Sequence, residues 1–228
     1  MRKPFNTSVI QPALNTSSST IVATDSNDPS NPQETLLRQG SAKVPTPHGT
    51  FELVAFAKTA DELMPNLAMV AEGMDVSKPI LCRLHSECLT GDIFHSLRCD
   101  CGEQLEEAMR LVGAEGGVIL YLRQEGRGIG IINKLKAYQL QDKGADTIEA
   151  NELLGLPVDS RDYSQAVHML EQLGIKQIRL LTNNPLKVEA FAKTGIEVVE
   201  RVGLEIKKRP ENERYLNTKR DDMGHTLK

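Results

Sequence analysis

The sequence predicts an α/β fold with mixed α+β layers, in which a strand-rich N-terminal part precedes an alternating α/β C-terminal part. Three observations support this prediction. Short apolar stretches with strand character dominate the chain up to about residue 84. The continuous apolar run Gly117–Leu122 is typical of a strand buried on both faces. From about residue 111 onward, such strands alternate with segments of helical periodicity, which indicates helices layered on a sheet.

The elements of the N-terminal part follow from turn and strand signals. Pro45–Gly49 contains two prolines and a glycine and therefore predicts a turn. The stretch FELVAFA at residues 51–57 then predicts a strand. Two further strands are predicted at residues 66–72 and 79–84.

The elements of the C-terminal part follow from helical periodicity and glycine stops. Residues 103–112 predict an amphipathic helix with Leu105, Ala108, Met109 and Val112 on one face. Gly174 ends a second predicted helix, which begins at Tyr163. Further helices are predicted at residues 129–141, 147–154 and 186–193, and strands at 178–181 and 197–201.

The chain divides into a tail and one catalytic domain. Residues 1–42 are rich in Ser, Thr, Asn and Pro and show no hydrophobic period, which predicts a disordered N-terminal tail. Residues 43–228 are predicted to form a single domain, whose charged last twenty residues wrap the surface or a partner.

Composition excludes several functions. The net charge is -4, aromatic residues make up 4% and Trp is absent, which argues against binding of nucleic acid. No apolar run approaches the ~18 residues that a membrane span needs, so we expect no membrane partner. Reduced, metal-binding thiols are typical of a reducing compartment, which predicts a cytoplasmic protein.

Three cysteines form the most informative motif. Cys88, Cys99 and Cys101 lie in the polar segment LHSECLTGDIFHSLRCDCG at residues 84–102. Three thiolates predict a zinc site with one open position, where the metal lowers the pKa of a bound water to about 7. This spacing is less specific than paired Cys-x-x-Cys knuckles, so three unrelated thiols remain an alternative. Cys82 lies in an apolar run and is predicted to be a core residue.

Two other segments have features of anion sites. RQEGRGIGIINK at residues 123–134 has Gly-x-Gly-x-Gly spacing, which matches neither a dinucleotide fingerprint nor a Walker A sequence. Its backbone N–H groups at a helix start, with Arg127, nevertheless suit an anion. LLTNNPLK at residues 180–187 places Thr182 and Lys187 beyond a strand end, where open α/β sheets bind ligands. The same residues also predict an Asn cap with Pro in the first helical turn, and both interpretations can hold at once.

Together these segments resemble the GTP cyclohydrolase II family. The resemblance includes the zinc segment, RQEGRGIG at 123–130, KAYQLQDKGADTIEAN at 136–151, LLTNNPLKVE at 180–189 and YLNTKRDDMGH at 215–225, and it covers roughly residues 43–228. It implies hydrolysis of GTP to 2,5-diamino-6-ribosylamino-4(3H)-pyrimidinone 5′-phosphate, formate and pyrophosphate, the first step of the guanine branch of riboflavin biosynthesis. It also implies one Zn²⁺ per chain, Mg²⁺ on the GTP triphosphate and a homodimer.

The resemblance assigns a role to each matching residue. Cys88, Cys99 and Cys101 hold the zinc, whose hydroxide attacks C8, and Tyr138 assists around the opened ring. Arg161 acts as nucleophile at the α-phosphorus, with Asp159 as proton acceptor. Because an arginine guanidinium has a pKa above ~12, an electrostatic clamp is the alternative role for Arg161. The implied GTP contacts are Arg83, Leu84, His85, Ser86, Glu87, Gln104, Glu125, Gly126, Arg127, Thr147, Thr182 and Lys187.

Three other functions remain open at this point. A zinc-dependent nucleotide hydrolase of other specificity, such as a deaminase, lacks support because the His-x-Glu with Pro-Cys-x-x-Cys signature is missing. A non-enzymatic zinc module that binds nucleic acid conflicts with the acidic pI. A non-catalytic GTP-binding relative is the third.

Overall fold

One seven-stranded sheet organises the residues that this computed structural model describes, which are 36–206, 209, 211–213, 217 and 224. The strands are β1 (Leu37–Thr46), β2 (Gly49–Ala57), β3 (Asn66–Ala71), β4 (Ile80–Ser86), β5 (Gly117–Leu122), β6 (Gln177–Leu181) and β7 (Glu197–Val202). The helices are α1 (Leu89–Asp92), α2 (Cys101–Glu115), α3 (Gly130–Gln141), α4 (Thr147–Leu153), α5 (Ser164–Gln172) and α6 (Pro185–Glu189). A 3-10 turn at Glu125–Gly128 precedes α3.

The sheet has an antiparallel half and a parallel half. The strand order is β1-β2-β3-β5-β4-β6-β7. Strands β1, β2, β3 and β5 pair antiparallel in turn, whereas β5, β4, β6 and β7 pair parallel. The carboxyl ends of β4, β5 and β6 therefore lie at one edge of the sheet, the position where open α/β sheets bind ligands.

Apolar side chains fill both faces of the sheet. On one face, α5 contributes Met169 and Leu170 to a cluster with Val54, Phe56 and Leu120 from the strands. The other face carries a smaller cluster, in which residues of α2 pack on strand residues. The members of this cluster are Phe51, Ala71, Leu81, Ala108, Val112, Ile119, Leu181 and Leu204. Because both faces are covered, β5 is a continuous apolar run rather than an alternating strand.

The α/β prediction is confirmed, with β5 correct to the residue and the predicted apolar face of α2 packed on the sheet. The boundaries of the other predicted elements differ from the observed ones by one to four residues. Helix α2 begins at Cys101, two residues before its predicted start, α6 ends at Glu189 rather than at residue 193, and the short helix α1 was not predicted. A single helical turn carries too few residues to show a hydrophobic period.

The predicted tail boundary was wrong, because β1 begins at Leu37, inside the segment 1–42. Most of β1 is exposed on both faces, so its sequence has none of the apolar alternation that identifies a half-buried strand. Residues 1–35, and most of the charged C-terminal segment, lie outside the described residues. In the described part of the chain, no helix has the length and apolarity needed to cross a membrane.

We predict that β1 stabilises the domain through its first contacts. Leu36 is buried in the larger cluster, its carbonyl oxygen accepts a hydrogen bond from Gln172 Nε2 at 2.5 Å, and Arg38 N donates to Gln172 Oε1 at 3.2 Å. Burial of one leucine is worth about 2 kcal/mol. A chain starting at residue 43 should therefore melt roughly 4–8 °C below a chain starting at residue 36. Equal melting temperatures would show that β1 contributes nothing to stability.

Candidate active site

A cavity of about 510 Å³ lies where the loops after β4, β5 and β6 meet. Its lining includes residues of the segment 83–88 at the end of β4, of the turn after β5, and of the loop after β6. The thiols of Cys88, Cys99 and Cys101 and the side chains of Arg83 and Lys187 face into this one space from different elements. The fold thus combines a thiol cluster with cationic groups.

The three thiols have the geometry of a metal site. The Sγ atoms of Cys88, Cys99 and Cys101 all lie within 4.8 Å of one another, and those of Cys88 and Cys99 are 3.7 Å apart. Two sulfurs bound tetrahedrally to zinc at ~2.3 Å would be about 3.8 Å apart. The residues present therefore fit a zinc ion with three protein ligands, the pattern that leaves a fourth position for water or substrate.

Two glycines allow the thiols to approach one another. A Cβ on Gly91 of α1 would lie 3.0 Å from both Cys99 Sγ and Cys101 Cβ. A Cβ on Gly102 of α2 would lie only 2.3 Å from the Gly91 carbonyl oxygen. The glycines in LTGD and CDCG are therefore required because α1 and α2 meet backbone to backbone beside the thiols.

The carboxylate of Asp92 fixes the loop that carries Cys88. It accepts hydrogen bonds from Cys88 N at 2.9 Å and from Tyr121 OH at 2.9 Å, and His85 Nε2 lies 3.0 Å away. Burial lowers the pKa of His85 and outweighs the opposing effect of Asp92, so the imidazole is neutral and donates Nε2–H to the carboxylate. Asp92 thereby ties β4, α1 and β5 together.

Hydrogen bonds among the three thiols shift their pKa values in a way that favours binding of a cation. Hydrogen bonds from the thiols of Cys101 and Cys99 hold the pKa of Cys88 far below its usual value, and Lys134 adds to this effect. Cys101 lowers the pKa of Cys99, but Cys88 and burial outweigh it and raise that pKa to about 11. One thiolate is thus present before metal binding, and the other two thiols release their protons when a dication binds.

Two cations at the base of the cavity are held by buried oxygens. Arg83 donates to the Leu181 carbonyl oxygen at 2.9 Å and to Gln104 Oε1 at 2.6 Å. Lys187 donates from Nζ to the Leu84 carbonyl oxygen at 2.6 Å. Both residues are 5% exposed, and burying such charges is unfavourable unless an anion compensates them.

Polar atoms of the lining are left for a ligand. Arg83 Nε, His85 Nδ1 and Asn184 Nδ2 are buried and have no hydrogen-bond partner among the described residues. All three residues line the cavity. Because buried polar atoms in native structures are almost always satisfied, these two donors and one acceptor indicate that a polar ligand completes the site.

The glycine-rich turn after β5 positions the loop that carries Arg161. Gly126 and Arg127 both have left-handed backbone, with φ values of 62° and 61°. This turns the Arg127 carbonyl oxygen toward Ser160, whose N and Oγ donate to it at 3.0 Å and 3.2 Å. Gly128 has φ +90°, and a Cβ there would lie 2.6 Å from Ser160 Oγ and 3.1 Å from the Ser160 carbonyl oxygen, so glycine is favoured at this approach.

Asp159 holds the Arg161 side chain in one orientation. The Asp159 carboxylate accepts hydrogen bonds from Arg161 Nε at 2.9 Å, from Arg161 Nη2 at 2.5 Å and from the Arg161 backbone N at 3.1 Å. Burial tends to raise the pKa of Asp159, but the contacts with Arg161 outweigh it and keep that pKa below its usual value. The pair is therefore an ionised carboxylate against a charged guanidinium.

Tyr138 of α3 lies between two cations. The guanidinium carbon of Arg98 is 4.8 Å from the centre of its ring and Lys134 Nζ is 5.8 Å away. Burial raises the pKa of Tyr138 more than Lys134 lowers it, so the phenol keeps its proton at neutral pH. Arg98 is itself held by Asp142 at 2.5 Å.

The structure brings most of the predicted site residues into one cavity. Those that line it are Arg83, His85, Ser86, Glu87, Cys88, Cys99, Cys101, Gln104, Glu125, Gly126, Arg127, Tyr138, Thr147, Arg161, Thr182 and Lys187. Leu84 is instead packed in the larger apolar cluster, and Asp159 lies behind Arg161. The carboxylate of Glu125 already accepts from Leu89 N, Gly126 N and Lys134, so its main contacts lie within the protein.

Sequence reasoning did not assign roles to four residues that shape the site. Asp92 and Arg98 are two of several ionisable residues in the segment 84–102, and this concentration of charged side chains around the cysteines was the signal that could have identified them. Ser160 and Lys134 offered no signal, because their partners lie 33 and 46 residues away along the chain. Only folding brings such pairs together.

The fold and the site define a class of protein, an α/β enzyme with a three-thiol cluster that could hold a metal beside a cavity lined by cationic side chains. The family model described as GTP cyclohydrolase II matches residues 37–203, and the chain belongs to this family. The match begins at the first residue of β1 and ends just after β7, so it spans the whole described sheet.

Individual relatives agree with the family. The chain is 54% identical over 188 residues to "GTP cyclohydrolase-2" of Hahella chejuensis, covering 82% of this chain and 90% of that protein. It is 53% identical to the Shewanella sediminis protein of the same name, with 82% and 91% covered. The "Riboflavin biosynthesis protein RibBA" of Salinispora tropica is 54% identical over 188 residues, which span 82% of this chain but 47% of that protein.

We predict that the metal depends on the three clustered thiols and not on the fourth. Cys99→Ser should lose stoichiometric zinc because one of three ligands becomes a poorer donor for this metal. Cys82→Ser is the matched control, since Cys82 is fully buried in the larger apolar cluster and is not one of the three clustered thiols. Metal content by atomic emission, with melting curves, checks both variants. Loss of zinc from a folded Cys82 variant as well would show a closed four-thiolate site and refute the assignment.

Proposed function

We propose that this chain hydrolyses GTP to 2,5-diamino-6-ribosylamino-4(3H)-pyrimidinone 5′-phosphate, formate and pyrophosphate, the first step of the guanine branch of riboflavin biosynthesis. Membership of the GTP cyclohydrolase II family supports the reaction. The observation that carries it to this chain is that a three-thiol cluster and cationic side chains line a single cavity. Its volume of about 510 Å³ lies within the ~300–1,000 Å³ of typical ligand sites.

The metal centre is proposed to act on the guanine ring. Cys88, Cys99 and Cys101 would hold one Zn²⁺ per chain, with their side chains fixed by Asp92 and by the close contact of α1 and α2. When bound, zinc would supply a Lewis acid that lowers the pKa of a water molecule for attack at C8. Tyr138, which lines the cavity and keeps its proton, would donate a hydrogen bond as the ring opens.

The triphosphate is proposed to bind the cationic side of the cavity. Arg83, Arg127, Arg161 and Lys187 all line it and together offset the roughly four negative charges of a triphosphate. Mg²⁺ would accompany the phosphates as part of the substrate complex. Thr182 and the orphaned donors Arg83 Nε and Asn184 Nδ2 supply hydrogen bonds that orient the nucleotide.

We propose that Arg161 is an electrostatic clamp on the α-phosphate rather than a nucleophile. A nucleophilic role requires Asp159 to accept a proton from a guanidinium of pKa above ~12. The contacts with Arg161 hold the pKa of Asp159 below its ordinary 3.8, so transfer of a proton from the guanidinium to this carboxylate is strongly unfavourable. The same contacts make the pair a rigid, fully charged donor, which suits stabilisation of a phosphorane-like transition state. A guanylylated Arg161 in the intact mass of quenched enzyme would contradict this role.

Three broader properties complete the proposal. We expect a cytoplasmic enzyme, a homodimer, and no partnership with nucleic acid or membrane. The reduced thiols support the first and the acidic pI of about 5.8 supports the last. Exposed Ile93, Phe94 and Leu97, which follow α1 beside the cavity, supply apolar surface that a second copy could cover.

The direct test is to incubate the zinc-loaded chain with GTP and Mg²⁺ and to follow formate, pyrophosphate and ammonia separately. Formate and pyrophosphate should appear in equal amounts, and ammonia should not. Release of ammonia would favour a deaminase-like hydrolase instead. Tight binding of GTP without any product would indicate a non-catalytic relative.

We predict that Gly128→Ala damages turnover through the Ser160 contact. The new Cβ would lie 2.6 Å from Ser160 Oγ and 3.1 Å from the Ser160 carbonyl oxygen, so it pushes away the loop that carries Arg161. Gly174→Ala is the matched control, because Gly174 has φ +73° but no atom within 4 Å of the position that an alanine Cβ would take. Both variants should lose about 1 kcal/mol of stability from the left-handed backbone, while only Gly128→Ala should lower kcat for pyrophosphate release, by tenfold or more. Equal kcat values in the two variants would show that the contact does not position Arg161.

A further inference from the structure

Lys134 is a buried lysine whose contacts are not explained by binding of the nucleotide. It lies on α3, is 9% exposed, and its Nζ is 3.1 Å from Cys88 Sγ and 2.8 Å from Glu125 Oε1. The ammonium is therefore bonded to a sulfur of the thiol cluster itself.

Glu125 holds that ammonium in place. Its Oε1 also accepts from Gly126 N at 2.7 Å, and its Oε2 accepts from Leu89 N at 2.6 Å. Leu89 directly follows Cys88, so one carboxylate fixes both the lysine and the backbone beside the sulfur that the lysine contacts. With three donors on a buried carboxylate, neither partner can move without leaving a buried charge unpaired.

The charge balance gives this contact a consequence for the metal. Three thiolates around a dication leave one excess negative charge in a buried site, which weakens the ion as an acceptor of electron density. A cation hydrogen-bonded to one sulfur draws density away from that sulfur and counters this effect. Groups that hydrogen-bond to the ligands of a metal commonly determine how electrophilic the metal is.

We propose that Lys134, held by Glu125, is a positioning residue of the metal centre that fixes the Cys88 sulfur and reduces its electron donation to the bound ion. This inference rests on the proposed function, since it presupposes a metal on the three thiols. A lysine that only joined α3 to the turn after β5 would need Glu125 alone, whereas the 3.1 Å contact places the charge on the ligand sulfur.

The test uses Co²⁺ in place of zinc, because the thiolate-to-cobalt charge-transfer band reports the electron density on the sulfurs. Lys134→Gln removes the charge but keeps a donor for Glu125, and Lys134→Arg keeps the charge. Lys136→Met is the matched control, an exposed lysine two residues along the same helix. Lys134→Gln should move the band to lower energy, whereas Lys134→Arg and Lys136→Met should leave it near that of the unmodified chain.

Zinc competition and kinetics complete the experiment. Lys134→Gln should lose zinc to a chelator about tenfold more readily because its Cys88 sulfur is no longer held in position, a loss that the stronger donation of that sulfur offsets only in part. Its kcat for formate should fall while KM for GTP stays unchanged. If Lys134→Gln does not fold, Lys134→Met replaces it as the neutral variant. An unmoved band in the neutral variant overturns the inference even if its melting temperature falls, since that pattern means a purely structural lysine. No charge-transfer band in the unmodified chain would instead overturn the thiol metal centre of the proposed function.

Discussion

Burial of charge at the carboxyl ends of β4, β5 and β6 is the constraint on which the site depends. Three carboxylates lie at the site, and each accepts several hydrogen bonds from donors of the protein. Asp92 accepts from the backbone of Cys88 and from two side chains, Glu125 accepts from two backbone groups and Lys134, and Asp159 accepts three hydrogen bonds from Arg161. Because these three acids bind donors of the protein, their charge is compensated beside a cavity that also contains thiols and cationic side chains, the groups that a metal and an anionic ligand require.

Close backbone contacts at three glycines also shape the site. Gly91 and Gly102 let α1 and α2 meet beside the thiols, and Gly128 lets the turn after β5 reach Ser160. The hydrogen bond from Ser160 to the Arg127 carbonyl oxygen stabilises the left-handed backbone of Arg127, which is otherwise unfavourable. The same bond fixes the loop that carries Arg161. The glycines of this segment therefore allow two loops to come into contact. This role does not require the Gly-x-Gly-x-x-Gly pattern of a dinucleotide site.

The two halves of the sheet have different tasks. The parallel strands β4, β5, β6 and β7 bring three loops to one edge, where the cavity lies. The antiparallel strands β1, β2 and β3 extend the sheet and bury its apolar faces, and Leu36, which directly precedes β1, contributes through its burial and its link to α5. This division places most of the residues with chemical roles in the segments that follow β4, β5 and β6 and leaves the antiparallel half to stability.

The sequence by itself determined the fold class, the family, the three cysteines that cluster as a possible metal site, and the core position of Cys82, because apolar periodicity and closely spaced motifs are properties of neighbouring residues. Tertiary structure alone decided that β1 is a strand, since an edge strand exposed on both faces lacks apolar alternation. It also decided that Glu125 bonds Lys134 and Leu89, that Leu84 lies in the core, and that Lys134 reaches Cys88. Those contacts join residues up to 46 positions apart, and no local pattern records which distant side chains the sheet will bring within hydrogen-bonding distance.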